Sequence, residues 1–328
     1  MSVLVTGGAG FIGSHMTHRL VDLGEPAVVL DNLSTGFRWA IPGATPLIIG
    51  DIGDQDLLAR VIDEHRVDAI IHFAGSIVVP ESVANPLDYY LNNTVKSRAL
   101  MATAVKKGVR HFIFSSTAAV YGAPSTMPVT EETPRDPISP YGSSKLMTET
   151  MLRDAAAAHD FHYVALRYFN VAGADADGRT GQSTKGATHL IKVACETAQG
   201  KRSHLDVFGT DYPTPDGTCV RDYIHVSDLV KAHSDALDYL RSGGRSIAMN
   251  CGYSRGFSVL EVIEAVKRVS GRDFEVRLAG RRPGDPPEIV AASDLIRRTL
   301  CWEPELDDLD LIVRHALDWE ARLVELVG

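Results

Sequence analysis

The segment TGGAGFIG, residues 6–13, follows an apolar run at residues 3–5 and precedes residues 12–23, where apolar side chains recur at helical spacing. A glycine-rich turn between a buried strand and a helix lets the backbone approach a pyrophosphate at the positive end of the helix. Gly7 suits the tight turn, Gly10 leaves room for phosphates, and Gly13 allows the helix to pack closely on the strand. The spacing is G-x-x-G-x-x-G, so the segment alone is equally consistent with a glycine-rich surface turn.

A second apolar run, Val28-Val29-Leu30, ends in the carboxylate Asp31, 18 positions after Gly13. In a dinucleotide-binding unit an acid at this place accepts hydrogen bonds from the adenosine ribose hydroxyls. A carboxylate there repels a 2′-phosphate, which favours NAD over NADP. Strand, glycine turn, helix, strand and acid in this order therefore predict a dinucleotide-binding fold.

Composition and charge limit the class of protein. The chain has 328 residues, of which 45% are hydrophobic and 23% charged, and its net charge is −9. These are ordinary values for a globular enzyme, and the negative charge argues against a dedicated nucleic-acid partner. We find no apolar leader and no run long enough to cross a bilayer, so a membrane association is not expected. The four cysteines are far apart without a C-x-x-C pair, so neither a disulfide framework nor a metal site is expected, and a reducing cytoplasmic location is predicted.

The first half of the chain alternates apolar strands with helical segments, which predicts an α/β fold with a Rossmann-type, doubly wound parallel sheet. A long helix is expected over about residues 85–107, an extended proline-rich loop over 124–140, and a helix over 141–158. After residue 170 the alternation weakens, residues 174–188 read as a mobile loop, and Ser258 with Glu261 predicts a capping box. We expect an NAD-binding domain at residues 1–170 and a smaller α/β domain, mainly for the substrate, at 171–328; later elements are allowed to return to the first domain.

Tyr141 and Lys145 stand four residues apart and therefore share one face of their predicted helix. A tyrosine with a pKa near 10 is a poor base at neutral pH, but a nearby ammonium and an oxidised nicotinamide would favour the phenolate and lower that pKa. Tyr141 could then accept a proton from a substrate hydroxyl while hydride leaves the same carbon. Thr117, at the end of the preceding strand, would donate or relay a hydrogen bond at that oxygen.

TGGAGFIG, Asp31, Thr117 and the Tyr141–Lys145 pair together resemble the extended short-chain dehydrogenases/reductases. Within them, further segments resemble the UDP-glucose 4-epimerases: DNLSTG (31–36), HFAG (72–75), FSSTAAVYG (114–122), YGSSK (141–145), RYFNVAGA (167–174), FGTDYPTPDGTCVRDYIHV (208–226) and RRPGD (281–285). The resemblance covers almost the whole chain, and the block ending in RDYIHV is far more specific than the glycine motif.

The resemblance implies a redox-neutral reaction with retained NAD. Hydride leaves C4 of the sugar of a UDP-sugar, the 4-keto sugar turns over, and hydride returns to its other face. Tyr141 would act as the base, and Lys145 would orient the nicotinamide ribose. Related dehydratases and decarboxylases carry acidic residues after the Ser/Thr, whereas this chain has Ala118 and Ala119, which cannot move protons. Epimerisation is therefore the leading interpretation.

The resemblance also implies residues for each ligand. The catalytic group is Thr117, Tyr141 and Lys145. The cofactor group is Gly7, Gly10, Phe11, Ile12, Gly13, Asp31, Asn32, Ser34, Thr35, Gly36, Asp51, Ile52, Phe73, Ala74, Gly75, Asn92, Ser115, Tyr141, Lys145 and Tyr168. The substrate group is Thr117, Tyr141, Asn170, His189, Leu190, Phe208, Arg221, Arg282 and Asp285, in which the arginines and Asn170 would face the diphosphate, Asp285 the uridine ribose and Phe208 the uracil.

Three positions depart from the family pattern or leave the substrate open. His189 replaces an asparagine, Ile77 replaces a lysine near the cofactor, and Ile289 is intermediate between residues that exclude and residues that admit a C2 acetamido group. UDP-glucose and UDP-galactose are the leading substrates, while UDP-N-acetylglucosamine, UDP-pentoses and UDP-uronates stay open. A dehydratase and a non-catalytic NAD sensor are weaker alternatives, and the resemblance implies a homodimer paired through the helices at about 85–107 and 141–158.

Overall fold

The computed structural model describes residues 1–282 and 285–327. The strands are β1 (Ser2–Thr6), β2 (Ala27–Asp31), β3 (Leu47–Ile49), β4 (Val67–His72), β5 (His111–Thr117), β6 (His162–Tyr168), β7 (Asn170–Ala172), β8 (Leu205–Phe208), β9 (Val220–His225), β10 (Ile247–Cys251), β11 (Gly256–Ser258), β12 (Val276–Ala279) and β13 (Glu288–Ile289). The helices are α1 (Phe11–Asp22), α2 (Gln55–His65), α3 (Val79–Ala84), α4 (Pro86–Tyr89), α5 (Lys96–Lys106), α6 (Pro140–Ala158), α7 (Leu190–Ala198), α8 (Val226–Arg241), α9 (Val259–Ser270), α10 (Asp294–Leu300) and α11 (Leu309–Val327).

A seven-stranded sheet in the order β3-β2-β1-β4-β5-β6-β10 forms the centre of the fold. Neighbouring strands are parallel throughout. The chain order reverses between β1 and β4, and ligands in such sheets bind at the carboxyl ends of the strands beside this reversal. The predicted α/β fold with a doubly wound parallel sheet is confirmed.

The core explains why the strands are apolar along their whole length. Val3 and Val5 point to one face of the sheet, where α1 and α8 pack, while Leu4 points to the opposite face, covered by α2, α5 and α6. A parallel sheet with both faces covered needs continuous apolar strands because neither face meets water.

Smaller sheets follow the sixth strand. β9 lies between β11 and β13 and also pairs with β7, while β8 pairs with β12. One element of this second half of the chain returns to the central sheet: β10 pairs with β6 and forms its edge strand. The predicted capping box is confirmed: the Ser258 hydroxyl accepts from the Glu261 amide, and the Glu261 side chain accepts from the Ser258 amide.

The helix expected over about residues 85–107 is present as a helical run from Pro86 to Lys106, with a π turn, Tyr90–Val95, between α4 and α5. α3 is a separate short helix before it, which the sequence did not indicate. The strand expected to run from His111 into Ser115-Ser116-Thr117 ends at Thr117. Apolar periodicity does not reveal the π turn, because such a turn changes the hydrogen bonding of the helix and needs no particular residue types. Among residues 1–282 and 285–327, no helix combines the length and apolarity that a membrane span requires.

Candidate active site

The glycine turn after β1 is packed against the end of β4. Gly7 has a φ of +69°, and a Cβ there would lie 2.6 Å from the backbone nitrogen of Ala74. A Cβ on Gly13 would lie 2.1 Å from the Gly7 carbonyl oxygen. Any larger residue at either position would push the turn away from the sheet. α1 begins after Gly10, which has no side chain to cap the first amide groups of the helix, so these amides can face a ligand oxygen.

Asp31 ties the end of β2 to the same turn. Its Oδ2 accepts from the Ala9 amide at 2.9 Å and its Oδ1 from the Leu33 amide at 2.8 Å. The following segment folds over the turn, since the Phe37 amide donates to the Ala9 carbonyl at 2.9 Å and a Cβ on Gly36 would lie 2.7 Å from Ala9. A carboxylate has about four acceptor positions, so two remain for ligand hydroxyls.

Asp51, after β3, has a partner that the sequence did not indicate. Lys96 of α5 donates to Asp51 Oδ2 at 2.5 Å, and the Gly53 amide donates to Oδ1 at 2.7 Å. Burial alone would raise the pKa of Asp51, but the Lys96 and Gly53 hydrogen bonds outweigh it and hold that pKa below its ordinary value. Lys96 lies 45 residues further along the chain than Asp51 and belongs to no motif, so only the fold brings the two together.

Tyr141 and Lys145 lie on α6, packed on the end of β5. Lys145 Nζ donates to the Ser115 carbonyl at 3.0 Å and lies 4.9 Å from the centre of the Phe114 ring. Burial lowers the pKa of Lys145 to about 8, so at pH 7 the side chain still holds its proton. The predicted strand-end group and the predicted helix pair are therefore brought into direct contact.

Thr117 has a defined hydrogen-bond direction. Its Oγ1 accepts from the Ala119 amide at 3.1 Å, which leaves its own hydrogen available to donate. Burial raises the pKa of Tyr141, and the nearby Thr117 hydroxyl opposes this rise. The protein groups alone thus keep the phenol protonated at neutral pH. The predicted lowering of the Tyr141 pKa also invoked the charge of an oxidised nicotinamide, so it stays a prediction for the loaded protein.

Two further tyrosine and asparagine positions surround this pair. The Tyr168 hydroxyl, at the end of β6, forms a short hydrogen bond with Ser115 Oγ. Asn92 donates to Ser76 Oγ at 2.9 Å. Its neighbour Asn93, which the sequence did not single out, is buried and donates to Ser144 Oγ on α6 at 3.1 Å. The π turn therefore links the segment after β4 to the helix that carries Tyr141.

The residues expected at the nucleotide form a second group. Arg221 lies 3.7 Å from Asp285, and the guanidinium of Arg282 lies 3.7 Å from the centre of the Phe208 ring. Asn170 stands on β7, whose partner β9 carries Arg221, so these two positions lie on adjacent strands. The motif RRPGD lies partly outside the described residues, at 283 and 284.

A small pocket of about 30 Å³ lies beside Asn170 of the second group. It is lined by Phe11 from the glycine turn, Asn170, His189, Leu190 and Trp319 of α11. His189 lines this pocket and is exposed to solvent, while the protein groups around its ring lower its pKa by desolvation. At neutral pH its imidazole is therefore neutral, so it can offer one donor and one acceptor to a ligand but no charge.

All the predicted site residues lie within the described structure. The positions expected around the cofactor follow strand ends or lie on the facing helices: Gly7, Gly10, Phe11, Ile12 and Gly13 after β1; Asp31, Asn32, Ser34, Thr35 and Gly36 at or after the end of β2; Asp51 and Ile52 after β3; Phe73, Ala74 and Gly75 after β4; Asn92 in the π turn; Ser115 in β5; Tyr141 and Lys145 on α6; Tyr168 at the end of β6. The substrate positions Asn170, His189, Leu190, Phe208, Arg221, Arg282 and Asp285 lie on or beside β7, α7, β8, β9 and the segment after β12.

Ile77 and Ile289, two of the three positions that depart from the family pattern or leave the substrate open, have different surroundings. Ile77 is 51% exposed. Ile289 is buried in β13 and is the neighbour of Arg221 across the β9–β13 pair. Ile289 is therefore placed beside the predicted diphosphate residue, whereas Ile77 faces outward.

The fold and this polar cluster at the strand ends define a nucleotide-dependent α/β enzyme. Residues 3–252 match the NAD dependent epimerase/dehydratase family. The match covers well over half of the chain, which therefore belongs to this family. The predicted membership of the epimerase-containing short-chain dehydrogenase/reductase group is confirmed.

Named relatives agree over nearly the full length. The chain is similar to a UDP-glucose 4-epimerase of Azospirillum brasilense, with 61% identity over 99% of this chain and 94% of the relative. Among solved structures, it is similar to UDP-glucose 4-epimerase from Brucella ovis in complex with NAD, with 44% identity, a TM-score of 0.94 and 97% of both chains covered. It is also similar to the UDP-Glc/GlcNAc 4-epimerase of Campylobacter jejuni, with 50% identity, a TM-score of 0.86 and coverage of 98% and 99% of the two chains.

Proposed function

We propose that the chain is an NAD-dependent UDP-glucose/UDP-galactose 4-epimerase, an isomerase that inverts C4 of the sugar. The observation that carries the proposal is the local arrangement at the end of β5. Thr117 keeps its hydroxyl hydrogen free to donate and opposes the rise in the pKa of Tyr141, and the next two residues are Ala118 and Ala119, so no acid follows that could drive elimination or decarboxylation. The near full-length similarity to UDP-glucose 4-epimerases supports the same reaction.

The residues at the strand ends fit a dinucleotide. The glycine turn is a cradle that a Cβ at Gly7 or Gly13 would fill, and the uncapped start of α1 faces it. Asp31 keeps free acceptor positions beside the turn. We therefore assign the pyrophosphate of NAD to the turn and the adenosine ribose to Asp31. Bound there, NAD would supply the hydride acceptor for C4 of the sugar and, for the return to the opposite face, the hydride donor.

The chain's own groups handle the proton of the C4 hydroxyl. Tyr141 Oη accepts it, and Thr117 stabilises the resulting phenolate by donating a hydrogen bond. Lys145 holds its proton at neutral pH and supplies a fixed positive charge, because the Ser115 carbonyl anchors its ammonium. When hydride returns, Tyr141 gives the proton back to the C4 oxygen, so the protein ends the cycle in its starting state.

For the UDP part, we propose that Arg221, Arg282 and Asn170 bind the diphosphate and that Asp285 accepts from the uridine ribose. Phe208 then packs against uracil. Arg221 and Asp285, and Arg282 and Phe208, are paired with one another in the structure, so binding of UDP exchanges these contacts for contacts to the nucleotide. On this proposal residues 1–170 form the cofactor domain and residues 171–328 mainly the substrate domain.

A 4-epimerase that also accepts UDP-N-acetylglucosamine is the second candidate. Ile289 lies next to Arg221, so it is positioned close to the sugar-nucleotide, and isoleucine leaves more room than tyrosine. The similarity to the UDP-Glc/GlcNAc 4-epimerase favours this wider specificity.

Incubation with each of UDP-glucose, UDP-galactose and their N-acetyl counterparts, without added NAD, followed by product identification, tests the function. We expect interconversion of the first two, and NAD released on denaturation at close to one per chain. Tyr141→Phe should keep UDP-sugar binding and abolish turnover, since phenylalanine cannot accept the proton of the C4 hydroxyl. A purified chain that carries no nucleotide, or a Tyr141→Phe variant with near-normal turnover, would contradict the mechanism.

We also propose a homodimer. Apolar side chains are exposed at four-residue intervals along the segment from α3 to the π turn: Val79, Val83, Leu87, Leu91 and Val95 are 41%, 63%, 78%, 51% and 54% exposed. Met147 of α6 is exposed as well. Contiguous exposed apolar patches mark interaction sites, and a second copy would bury these side chains. The double variant Leu87→Lys/Leu91→Lys should be monomeric by light scattering, whereas Leu278→Lys, 69% exposed on β12, should keep the wild-type mass.

The four cysteines are free thiols, which supports a reducing, cytoplasmic location.

A further inference from the structure

α6 faces β5 over three successive turns. The Thr117 hydroxyl opposes the rise in the pKa of Tyr141, the Ser115 carbonyl accepts from Lys145 at 3.0 Å, and the Ser116 hydroxyl donates to Glu149 Oε1 at 2.5 Å. Tyr141, Lys145 and Glu149 recur at four-residue spacing and so share one helix face. The first two have a role in the proposed reaction. Glu149 has none, although it is held in the same way.

Glu149 is fixed by an arginine from the neighbouring strand. Arg167 Nε donates to Glu149 Oε1 at 2.9 Å, and its Nη2 donates to Oε2 at 2.6 Å, which makes a two-pronged ion pair. Both side chains are buried, 2% exposed for Arg167 and 5% for Glu149. Arg167 is also the register partner of Ser116, so the pair holds β5, β6 and α6 together at one level.

A gain in folding stability does not by itself explain why the fold contains a buried ion pair of this kind. Removing two charges from water costs more than their attraction commonly returns, and apolar replacements of similar volume are often neutral or stabilising. A planar guanidinium fork, in contrast, fixes the direction and distance of its carboxylate. The pair is thus suited to set a position, and the position it sets is that of the helix carrying Tyr141.

The same arginine continues the hydrogen bonds away from the helix. Its Nη1 donates to the Tyr121 hydroxyl at 2.8 Å, and that hydroxyl donates to Asn250 Oδ1 at 2.7 Å. Tyr121 and Asn250 belong to the turn after β5 and to β10, so the guanidinium is held from two directions. Each of its three nitrogen atoms thus donates to a partner inside the fold.

We propose that Glu149 and Arg167 are positioning residues that hold α6 in register with β5, so that Lys145 keeps its hydrogen bond to the Ser115 carbonyl and Tyr141 keeps its place next to Thr117. The proposal rests on the proposed function of Tyr141 as the base. Without the pair, α6 keeps its hydrogen bonds to the Ser115 carbonyl and to Asn93 of the π turn, but it loses its attachment to β6 and the anchor that holds Glu149 at Ser116. Tyr141 is then no longer held in a fixed position relative to Thr117.

The double variant Glu149→Leu/Arg167→Met tests the proposal, because it removes both charges and keeps comparable volume. Tyrosine labelled with ¹³C at Cζ reports the titration of Tyr141 in the NAD-loaded protein, with Tyr141→Phe identifying its resonance. Since the Thr117 hydroxyl lowers the pKa of Tyr141, moving it away should raise that pKa by about half a unit or more. At pH 7 we expect kcat to fall by about threefold or more with KM within about twofold, and to recover as pH rises.

Two variants keep the test decisive. Ser116→Ala removes only the β5 hydroxyl on Glu149, so it should shift the Tyr141 titration in the same direction by a smaller amount, even where the double variant does not fold. Tyr253→Phe removes a comparably buried hydroxyl that donates to Asp228 at 2.5 Å, away from α6, and should lower the melting temperature without moving the titration.

An unchanged Tyr141 titration in a folded double variant or in Ser116→Ala would overturn the proposal, and so would an equal shift in Tyr253→Phe. The titration needs no turnover. A wild-type protein that fails to interconvert UDP-glucose and UDP-galactose would therefore refute the function while the positioning role is still tested.

Discussion

Replacing Lys145 by methionine should change how stability depends on pH. The side chain is 3% exposed, and burial lowers its pKa from 10.5 to about 8. A difference of about 2.5 units, at about 1.4 kcal/mol per unit, means that burying the ammonium costs about 3 kcal/mol at neutral pH. Below pH 8 both the folded and the unfolded protein hold the proton, and the full cost applies.

Above pH 8 the folded protein releases this proton before the unfolded chain does, so the cost declines and is gone near pH 10.5. Stability of the wild type should therefore rise with pH relative to Lys145→Met, by about 3 kcal/mol in total over this range. Lys145→Met also loses the hydrogen bond to the Ser115 carbonyl, which changes its free energy of unfolding by the same amount at every pH. The test is therefore how the difference in unfolding free energy between the two proteins changes with pH.

Urea unfolding at half-unit steps from pH 7 to 10.5, followed by tryptophan fluorescence after removal of bound nucleotide, measures the difference. All other titrating groups are common to both proteins and cancel. A difference in unfolding free energy that stays flat over this range would show that Lys145 titrates at its ordinary pKa, and the assignment of a desolvated ammonium to this site would be wrong.

Gly13→Ala should destabilise the protein by about 1–3 kcal/mol and empty it of NAD, because the new Cβ would lie 2.1 Å from the Gly7 carbonyl oxygen; Gly43→Ala, with open space around the Cβ, is the matched control, and equal melting temperatures would contradict the close packing. Asp31→Ser should reduce the preference for NAD over NADP by about tenfold or more, measured by competition binding, since it removes the charge that repels a 2′-phosphate; an unchanged preference would place the ribose elsewhere. Ile289→Tyr should lower kcat/KM for UDP-N-acetylglucosamine and leave that for UDP-glucose within about twofold, and equal losses on both would refute the gate at C2.

The strands of the central sheet were predictable because the residues that define each strand are adjacent in the sequence. Each buried parallel strand needs an apolar run, and each run in the first half of the chain ends in a glycine or a polar residue, as in Thr6-Gly7 and Asp31. The return of β10 to the edge of this sheet was not predictable in detail. Residues 247–251 form a short apolar run that would fit either sheet, and only pairing with β6 decides between them.

The site residues also divide into those that the sequence indicates and those that only the fold reveals. Glycine motifs and the four-residue spacing of Tyr141 and Lys145 are visible in the sequence, whereas Lys96, Asn93 and Arg167 are not. Each of these three residues contacts a partner that lies far from it in the chain. The sequence alone does not show which distant residues the fold brings into contact. Glu149 is the intermediate case, since its spacing from Lys145 repeats that of Tyr141 and the helix face alone could have indicated it.

Burial acts on both members of the Tyr141–Lys145 pair in the direction of neutrality, raising the pKa of the phenol and lowering that of the ammonium. The pocket therefore disfavours a phenolate on its own, and proton removal from the substrate needs a further source of positive charge. On the proposed function, an oxidised nicotinamide bound at the site would supply that charge before hydride transfer and not after it. The base is then strong while the sugar is to be oxidised, and the tyrosine returns its proton readily once hydride goes back. Desolvation of the site thus couples proton transfer to the redox state of the cofactor, which is the condition for a cycle that begins and ends with the same form of NAD.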